Sequence, residues 1–413
     1  MDDKLLEKEK IDWSILAVGV LGVTYNAILA FINHNIMPLG PSIVVLSEIL
    51  ILTYSIGYIL YKGIYEEDLI PLGYLLATIA LTVYVIVVNR SVYIDHLRNV
   101  MIIFSFTVLG RWCNERTLKL VFRTCTLAVL IMLLIEIFSV KTYVSLVHPA
   151  EYFLNTRGVP PATYSDLGLF RGALGFPGRF SFGIIDHRSS SIFLEQVSNA
   201  NYAGVMTIYL VGFINRLNVF DKLLCLSTAI LILITNDART MLIFSLLSIV
   251  GYFIYPFIPK VLDIFMMPGI VAVGFIIHSF RPDAHEDDFV GRISGTVRNI
   301  IDMDLQATLG LELDKATVYV DSGYVYITYG ATIFGLILFW LFISLYPGGK
   351  TANQKRLGHA VCLFMFLNLM IGATSIFSMK TAGLVWLLIN FLKFNEGRQE
   401  IDPMSQQAPL KTA

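Results

Sequence analysis

The chain has 413 residues, 56% of them hydrophobic and only 15% charged, with a mean hydropathy of +0.69; a soluble domain carries about 25% charged residues, so most of this chain belongs in lipid. A net charge of −1 excludes a broad basic surface, and with it a nucleic-acid partner. The four cysteines (Cys113, Cys125, Cys225, Cys362) avoid the two longest polar segments, so no disulfide framework is implied.

The first apolar run, residues 13–32, is too long for a cleavable signal peptide and no small-residue cleavage site follows it. It is expected to insert as the first transmembrane helix. A span needs roughly 17–25 apolar residues, and seven more runs qualify: 42–61, 70–88, 120–140, 240–258, 261–280, 322–346 and 357–376. Four shorter runs, 99–110, 201–214, 223–235 and 379–394, extend into polar flanks or tilt. The expected fold is therefore an all-α integral membrane protein of about twelve transmembrane helices. Residues 1–140 hold the first five, 141–200 a large loop, 201–280 helices six to nine, 281–317 a second loop, 318–394 the last three and 395–413 a polar tail. No repeat of fixed period, inverted symmetry or broken helix is visible.

Twelve spans put both termini on one side, and the positive-inside rule makes that side cytoplasmic. Lys4, Lys8, Lys10, Arg111, Arg116, Lys119 and Arg123 fall there, as do Arg216, Lys260, Lys350, Lys355 and Arg356. Both long loops then lie outside. That outer side holds ten of the sixteen arginines but only three of the fourteen lysines. A guanidinium fork grips two phosphate oxygens at once, where an ammonium is a point charge, so the bias points to a phosphate-bearing substrate. The 141–200 loop is rich in turn formers, among them Gly158, Pro160, Pro161, Gly172 and Pro177, as befits an ordered lid.

Four outer segments carry candidate chemistry. In the first, Arg171, Arg179, Arg188 and Glu195 precede a span; if 187–195 is helical, Arg188 and Glu195 share a face. They would grip an anion and orient a hydroxyl, or merely pair with each other. In the second, Thr235-Asn236-Asp237-Ala238-Arg239-Thr240 sets Arg239 at a helix N-terminus. The positive dipole end and the guanidinium would hold a phosphate there; the bland alternative is an arginine snorkelling or paired with Asp237. The third, Gly291-Arg292 to Arg298, follows an acidic run (Asp283, His285, Glu286, Asp287, Asp288) that lacks calcium-loop spacing and reads as solvated loop. In the fourth, Tyr319-Val320-Asp321-Ser322-Gly323-Tyr324-Val325-Tyr326 opens a span. Asp321 is either a base for a sugar hydroxyl or a helix N-cap. Tyr319 and Tyr324 would stack on sugar faces, or are ordinary interfacial tyrosines. Glu48 and Glu136, buried and solitary in sequence, are left outside the site. No phosphate-binding loop, zinc-binding His pair or Cys/His cluster is present, so neither a nucleotide-driven pump nor a metal or other cofactor is expected.

On these segments the chain resembles the superfamily of Wzy-type polysaccharide polymerases and O-antigen ligases, most closely the exopolysaccharide polymerases. The resemblance rests on the hydropathy plan, Arg188…Glu195 before a span, Asn236-Asp237-Ala238-Arg239-Thr240 opening one, Gly291-Arg292 in the second loop, and Asp321-Ser322-Gly323-Tyr324 followed by Tyr329-Gly330. It implies a glycosyltransferase-C-like bundle in a bacterial inner membrane, both termini cytoplasmic. It also implies a metal-independent glycosyltransferase that moves a growing glycan from undecaprenyl diphosphate to a sugar hydroxyl of another lipid-linked repeat unit. Arg171, Arg179, Arg188, Arg239, Arg292 and Arg298 would hold the diphosphate; Asp321 or Glu195 would take the proton. The expected partners are undecaprenyl diphosphate-linked oligosaccharides, membrane lipid and a chain-length regulator protein. Ligases carry His-Asn where this chain has Asp321-Ser322, which favours a polymerase. The alternatives are an O-antigen ligase, and a transporter or flippase using the same arginines as a funnel with no bond made.

Overall fold

The computed structural model describes residues 10–174, 184–284, 289–319, 321–371 and 374–405. These residues form an all-helical bundle with no β-strand, only an isolated bridge between Leu174 and His187. In chain order the helices are α1 (Trp13–Asn35), α2 (Pro41–Lys62), α3 (Leu69–Asn89), α4 (Asp95–Trp112), α5 (Glu115–Phe138), α6 (Val140–Val147), α7 (Pro149–Arg157) and α8 (Gln196–Phe213). They continue with α9 (Val219–Thr235), α10 (Arg239–Ile254), α11 (Met266–Phe280), α12 (Phe289–Ile301), α13 (Leu305–Thr308), α14 (Gly323–Leu345), α15 (Ala352–Ile371) and α16 (Met379–Ser405). Several starts are set by side chains that satisfy otherwise orphaned N–H groups: Asp12 accepts from Ser14 and Ile15, Asn114 from Thr117, and Asn218 from Asp221.

Among the described residues eight helical segments are long and apolar enough to cross a membrane: Trp13–Asn35, Pro41–Lys62, Glu66–Asn89, Glu115–Phe138, Gln196–Arg216, Arg239–Phe257, Lys260–Phe280 and Gly323–Leu345. The chain is a multi-pass membrane protein. α4, α9, α15 and α16 correspond to the other four expected runs. The expected run 357–376 begins earlier, as α15, because Thr351 and Gln354 organise its first turn.

α4 and α16 form the packed centre, enclosed by the other helices. Their backbones approach so closely at Gly110 that a Cβ there would sit 2.4 Å from the Leu387 carbonyl oxygen. Fully buried Trp386 and Phe106 fill the same seam. α11, by contrast, buries little beyond Gly274, and its exposed Val273, Phe275 and Ile276 suit a lipid-facing helix. One end of the bundle is stitched by Asn114 Nδ2 to Lys10 O, 2.7 Å, and Asn395 Nδ2 to Cys113 O, 3.3 Å. The start of α1 and the later turns of α16 therefore meet at the same end. All four cysteines are buried and none forms a disulfide.

Two features depart from expectation. The long segment after α5 opens with two short helices, α6 and α7, and the second one is largely α12 and α13. α14 is also interrupted: Thr332, its tenth residue, has φ 65° and ψ 171°, a conformation rare for a β-branched residue. Hydropathy cannot register this break, since the sequence stays apolar through it.

Candidate functional site

At the end of the bundle opposite Asn114, the segment leading into α8 is held by a buried carboxylate. Glu136, at the last turn of α5, accepts from Ser190 N (3.0 and 2.9 Å) and Ser191 N (2.7 Å), and His187 Nε2 lies 3.3 Å from it. The segment is not helical. Ser191 (φ 49°) and Leu194 (φ 64°) are left-handed, with a single 3₁₀ turn over Ser191–Phe193, and α8 starts only at Gln196. Arg188 and Glu195 therefore do not share a helix face.

Arg188 turns instead to the α9–α10 connection. Its Nε donates to Asn236 O at 2.9 Å and its Nη2 to Asn236 Oδ1 at 3.3 Å. Asn236 Nδ2 returns two bonds, to Ser189 O (2.5 Å) and Gln196 O (2.8 Å), and Ser189 N donates to Thr235 O. The first two candidate segments are thus one clasped unit with Asn236 at its centre. Arg239 opens α10 as expected, but its guanidinium grips Asp237 through Nε (3.1 Å) and Nη2 (3.2 Å). Asp237 reaches this position through its own left-handed backbone, φ 50°. Arg239 lines neither of the cavities described next.

Arg171, Arg188 and Arg292 come together around one open cavity of about 410 Å³, with Gln196, Tyr164 and Pro160 in its wall. Among the described residues that line it none is acidic. Three arginines around one space favour an anion. Gln196 is 8% exposed, and its Oε1 has no hydrogen-bond partner among the described residues.

Arg292 also lines a second cavity, of about 200 Å³, with Tyr319, Asp321, Ser322, Gly295 and Asn299. Helical spacing explains the α12 wall: residues 292, 295, 296 and 299 fall on one face. Arg298 lies off that face, and its Nη2 donates to the carbonyls of Pro282 (2.9 Å) and Ala284 (3.3 Å), so it braces the preceding loop. Asp321 is exposed and makes no side-chain hydrogen bond or ion pair among the described residues. It is not the cap of α14, whose N-cap position is Ser322, without a side-chain bond. Tyr319 lines the cavity and stacks on Tyr329 at 5.3 Å. Tyr324 is buried in the helix core and donates to Phe366 O at 2.8 Å, so it is no sugar platform. It is the second residue of α14, on the side that meets α15.

Glu195 is drawn into a separate cluster. Arg157 Nη1 reaches its Oε2 at 3.2 Å, while Lys380 Nζ (3.2 Å) and Ser198 Oγ (2.6 Å) reach its Oε1. Burial favours the neutral acid, but Lys380 and Arg157 outweigh it and hold the carboxyl down to about 2. A carboxylate so stabilised is a poor proton acceptor. Lys380, Arg157 and Gln196 were missed in the sequence because nothing local marks them. Glu136, set aside as solitary, is the residue that shapes the site. Arg179 and residues 285–288, and Val320, lie outside the described residues. Among the described residues no group of three or more His, Cys, Asp or Glu side chains is arranged to hold a metal ion.

Comparison with family models, curated proteins and solved structures gives no match.

Proposed function

We propose that this chain is a polysaccharide polymerase of the Wzy type: a twelve-span, glycosyltransferase-C-like bundle in a bacterial inner membrane, with cytoplasmic termini and periplasmic cavities. The observation that carries the proposal is the meeting of Arg171, Arg188 and Arg292 on one cavity whose wall at Arg292 is shared with the cavity of Asp321. The guanidiniums hold the diphosphate of an undecaprenyl-linked glycan. A sugar hydroxyl of a second lipid-linked repeat unit attacks the anomeric carbon. The new glycosidic C–O bond forms as the C–O bond to the diphosphate breaks, the hydroxyl proton passes to the Asp321 carboxylate, and undecaprenyl diphosphate leaves as an anion held by the arginines. The single displacement inverts the anomeric centre. Lys would not replace these arginines well, since bidentate contact with a diphosphate needs the planar fork.

The test is to incubate purified protein with lipid-linked repeat units and resolve the products on a gel. Wild type yields a ladder of longer glycans. Arg188→Ala and Arg292→Ala lose about 10²–10³ in rate, the usual cost of one contact to a developing anion, while staying folded. A full-strength ladder from both variants, or a retained anomeric configuration, overturns the scheme.

A transporter or flippase has one observation in its favour, the interruption of α14 at Thr332, since discontinuous helices mark many transport sites. It makes no use of the adjoining Asp321 cavity. Movement of lipid-linked glycan across vesicles without bond formation would favour it.

A further inference from the structure

The second cavity differs from the first in charge. It is lined by one arginine and one aspartate, Arg292 and Asp321, so it carries no excess of either sign and suits a neutral ligand. Its volume is about 200 Å³, about half that of the first cavity, which leaves room for a sugar ring. Ser322, in the same wall, is 2% exposed, and its Oγ has no hydrogen-bond partner among the described residues. A buried hydroxyl without a partner is costly unless a ligand completes it. Gly295 borders that space, and a Cβ built there meets no atom within 4 Å. A glycine in the middle of α12 costs helix stability relative to alanine, and no neighbour requires it.

We infer that this smaller cavity is the subsite for the acceptor sugar, an uncharged ring with a free hydroxyl, bounded by Gly295 and bonded by Ser322 Oγ and the Asn299 amide, with its attacking hydroxyl against Asp321. The inference rests on the polymerase proposal. It separates the two substrates: the diphosphate occupies the larger cavity, the acceptor sugar the smaller, and Arg292 is the wall between them.

Gly295→Leu puts a side chain into the smaller cavity from a position where a Cβ meets no atom within 4 Å, and Ser322→Ala removes the hydroxyl. Rates are measured at fixed lipid-linked donor with increasing lipid-linked acceptor, and binding of undecaprenyl diphosphate alone is measured separately. The expected result is an acceptor KM at least tenfold higher in Gly295→Leu and about threefold to tenfold higher in Ser322→Ala. The Kd for undecaprenyl diphosphate changes less than twofold in both. An unchanged acceptor KM in Gly295→Leu, with wild type active, overturns the subsite and leaves the polymerase standing. Loss of undecaprenyl diphosphate binding in step with acceptor KM also overturns it, since the two cavities would then be one site. A wild-type protein that makes no polymer overturns both.

Discussion

Replacing Glu136 tests whether the site is held from behind by a single buried carboxylate. Glu136 is fully buried and accepts from the backbone of Ser190 and Ser191 at 2.7–3.0 Å. Hydrogen bonds to a charged acceptor contribute roughly 1.5–3 kcal/mol each, so the two donors represent about 3–6 kcal/mol. They oppose the cost of two left-handed residues, Ser191 and Leu194, at about 1–3 kcal/mol each. The balance is close, and removing the carboxylate tips it. At 1.4 kcal/mol per factor of ten, Glu136→Leu should raise amide exchange at Ser190 and Ser191 by about 10²–10⁴. Glu136→Gln, which keeps one neutral acceptor, should raise it by about 10–10². The assay is hydrogen–deuterium exchange by mass spectrometry on protein in lipid nanodiscs, comparing the peptide over residues 186–194 with one inside α8. Because Arg188 sits on this segment, product formation should fall with protection. Unchanged protection in Glu136→Leu, with α8 equally protected, would refute the clamp.

Four further outcomes follow from the same geometry. Glu195, held down to about 2 by Lys380 and Arg157 against its burial, contributes stability that is fully present above its unfolded value of 4.5 and is lost as pH falls towards 2. Thermal unfolding in detergent should therefore show Glu195→Gln less stable than wild type at pH 7, with the gap closing between pH 4.5 and 2. A pH-independent gap would contradict the ion-pair account. In the polymerisation assay Glu195→Gln should keep its rate within about tenfold while Asp321→Asn loses about 10²–10⁴; the reverse order would make Glu195 the base. Arg239→Ala should cost less than Arg188→Ala in the same assay, because Asp237 already occupies its guanidinium, and an equal loss would return Arg239 to the diphosphate site. Tyr324→Phe removes a hydrogen bond to the Phe366 carbonyl, a loss of about 0.5–1.5 kcal/mol. It should lower the unfolding temperature and leave acceptor KM unaltered; a raised KM would make Tyr324 part of the sugar site.

Much of the site was legible as segments and little of it as partners. Arg171, Arg188, Arg292 and Asp321 came from the sequence because guanidiniums and carboxylates at span borders are costly and few. Arg298 came with them but turns away, since six residues along α12 from Arg292 is a different face. The helical extrapolation over 187–195 failed because Glu136, some fifty residues earlier, holds Ser191 in a left-handed conformation that no local preference of serine supplies. Glu195 was expected opposite Arg188 and is paired with Lys380 from the far end of the chain.

By itself the sequence determined that the chain crosses a membrane many times through helices, and where the long polar segments fall between them. Those properties follow from the local density of apolar side chains, because each span satisfies its own backbone bonds within one run of residues. Only the tertiary structure decided which arginines share a cavity, which carboxylate is neutralised by cations and which stands exposed beside Arg292, and where α14 breaks. Each of those outcomes depends on hydrogen bonds and ion pairs between residues distant in the chain, and such pairings leave no periodic trace in the order of amino acids.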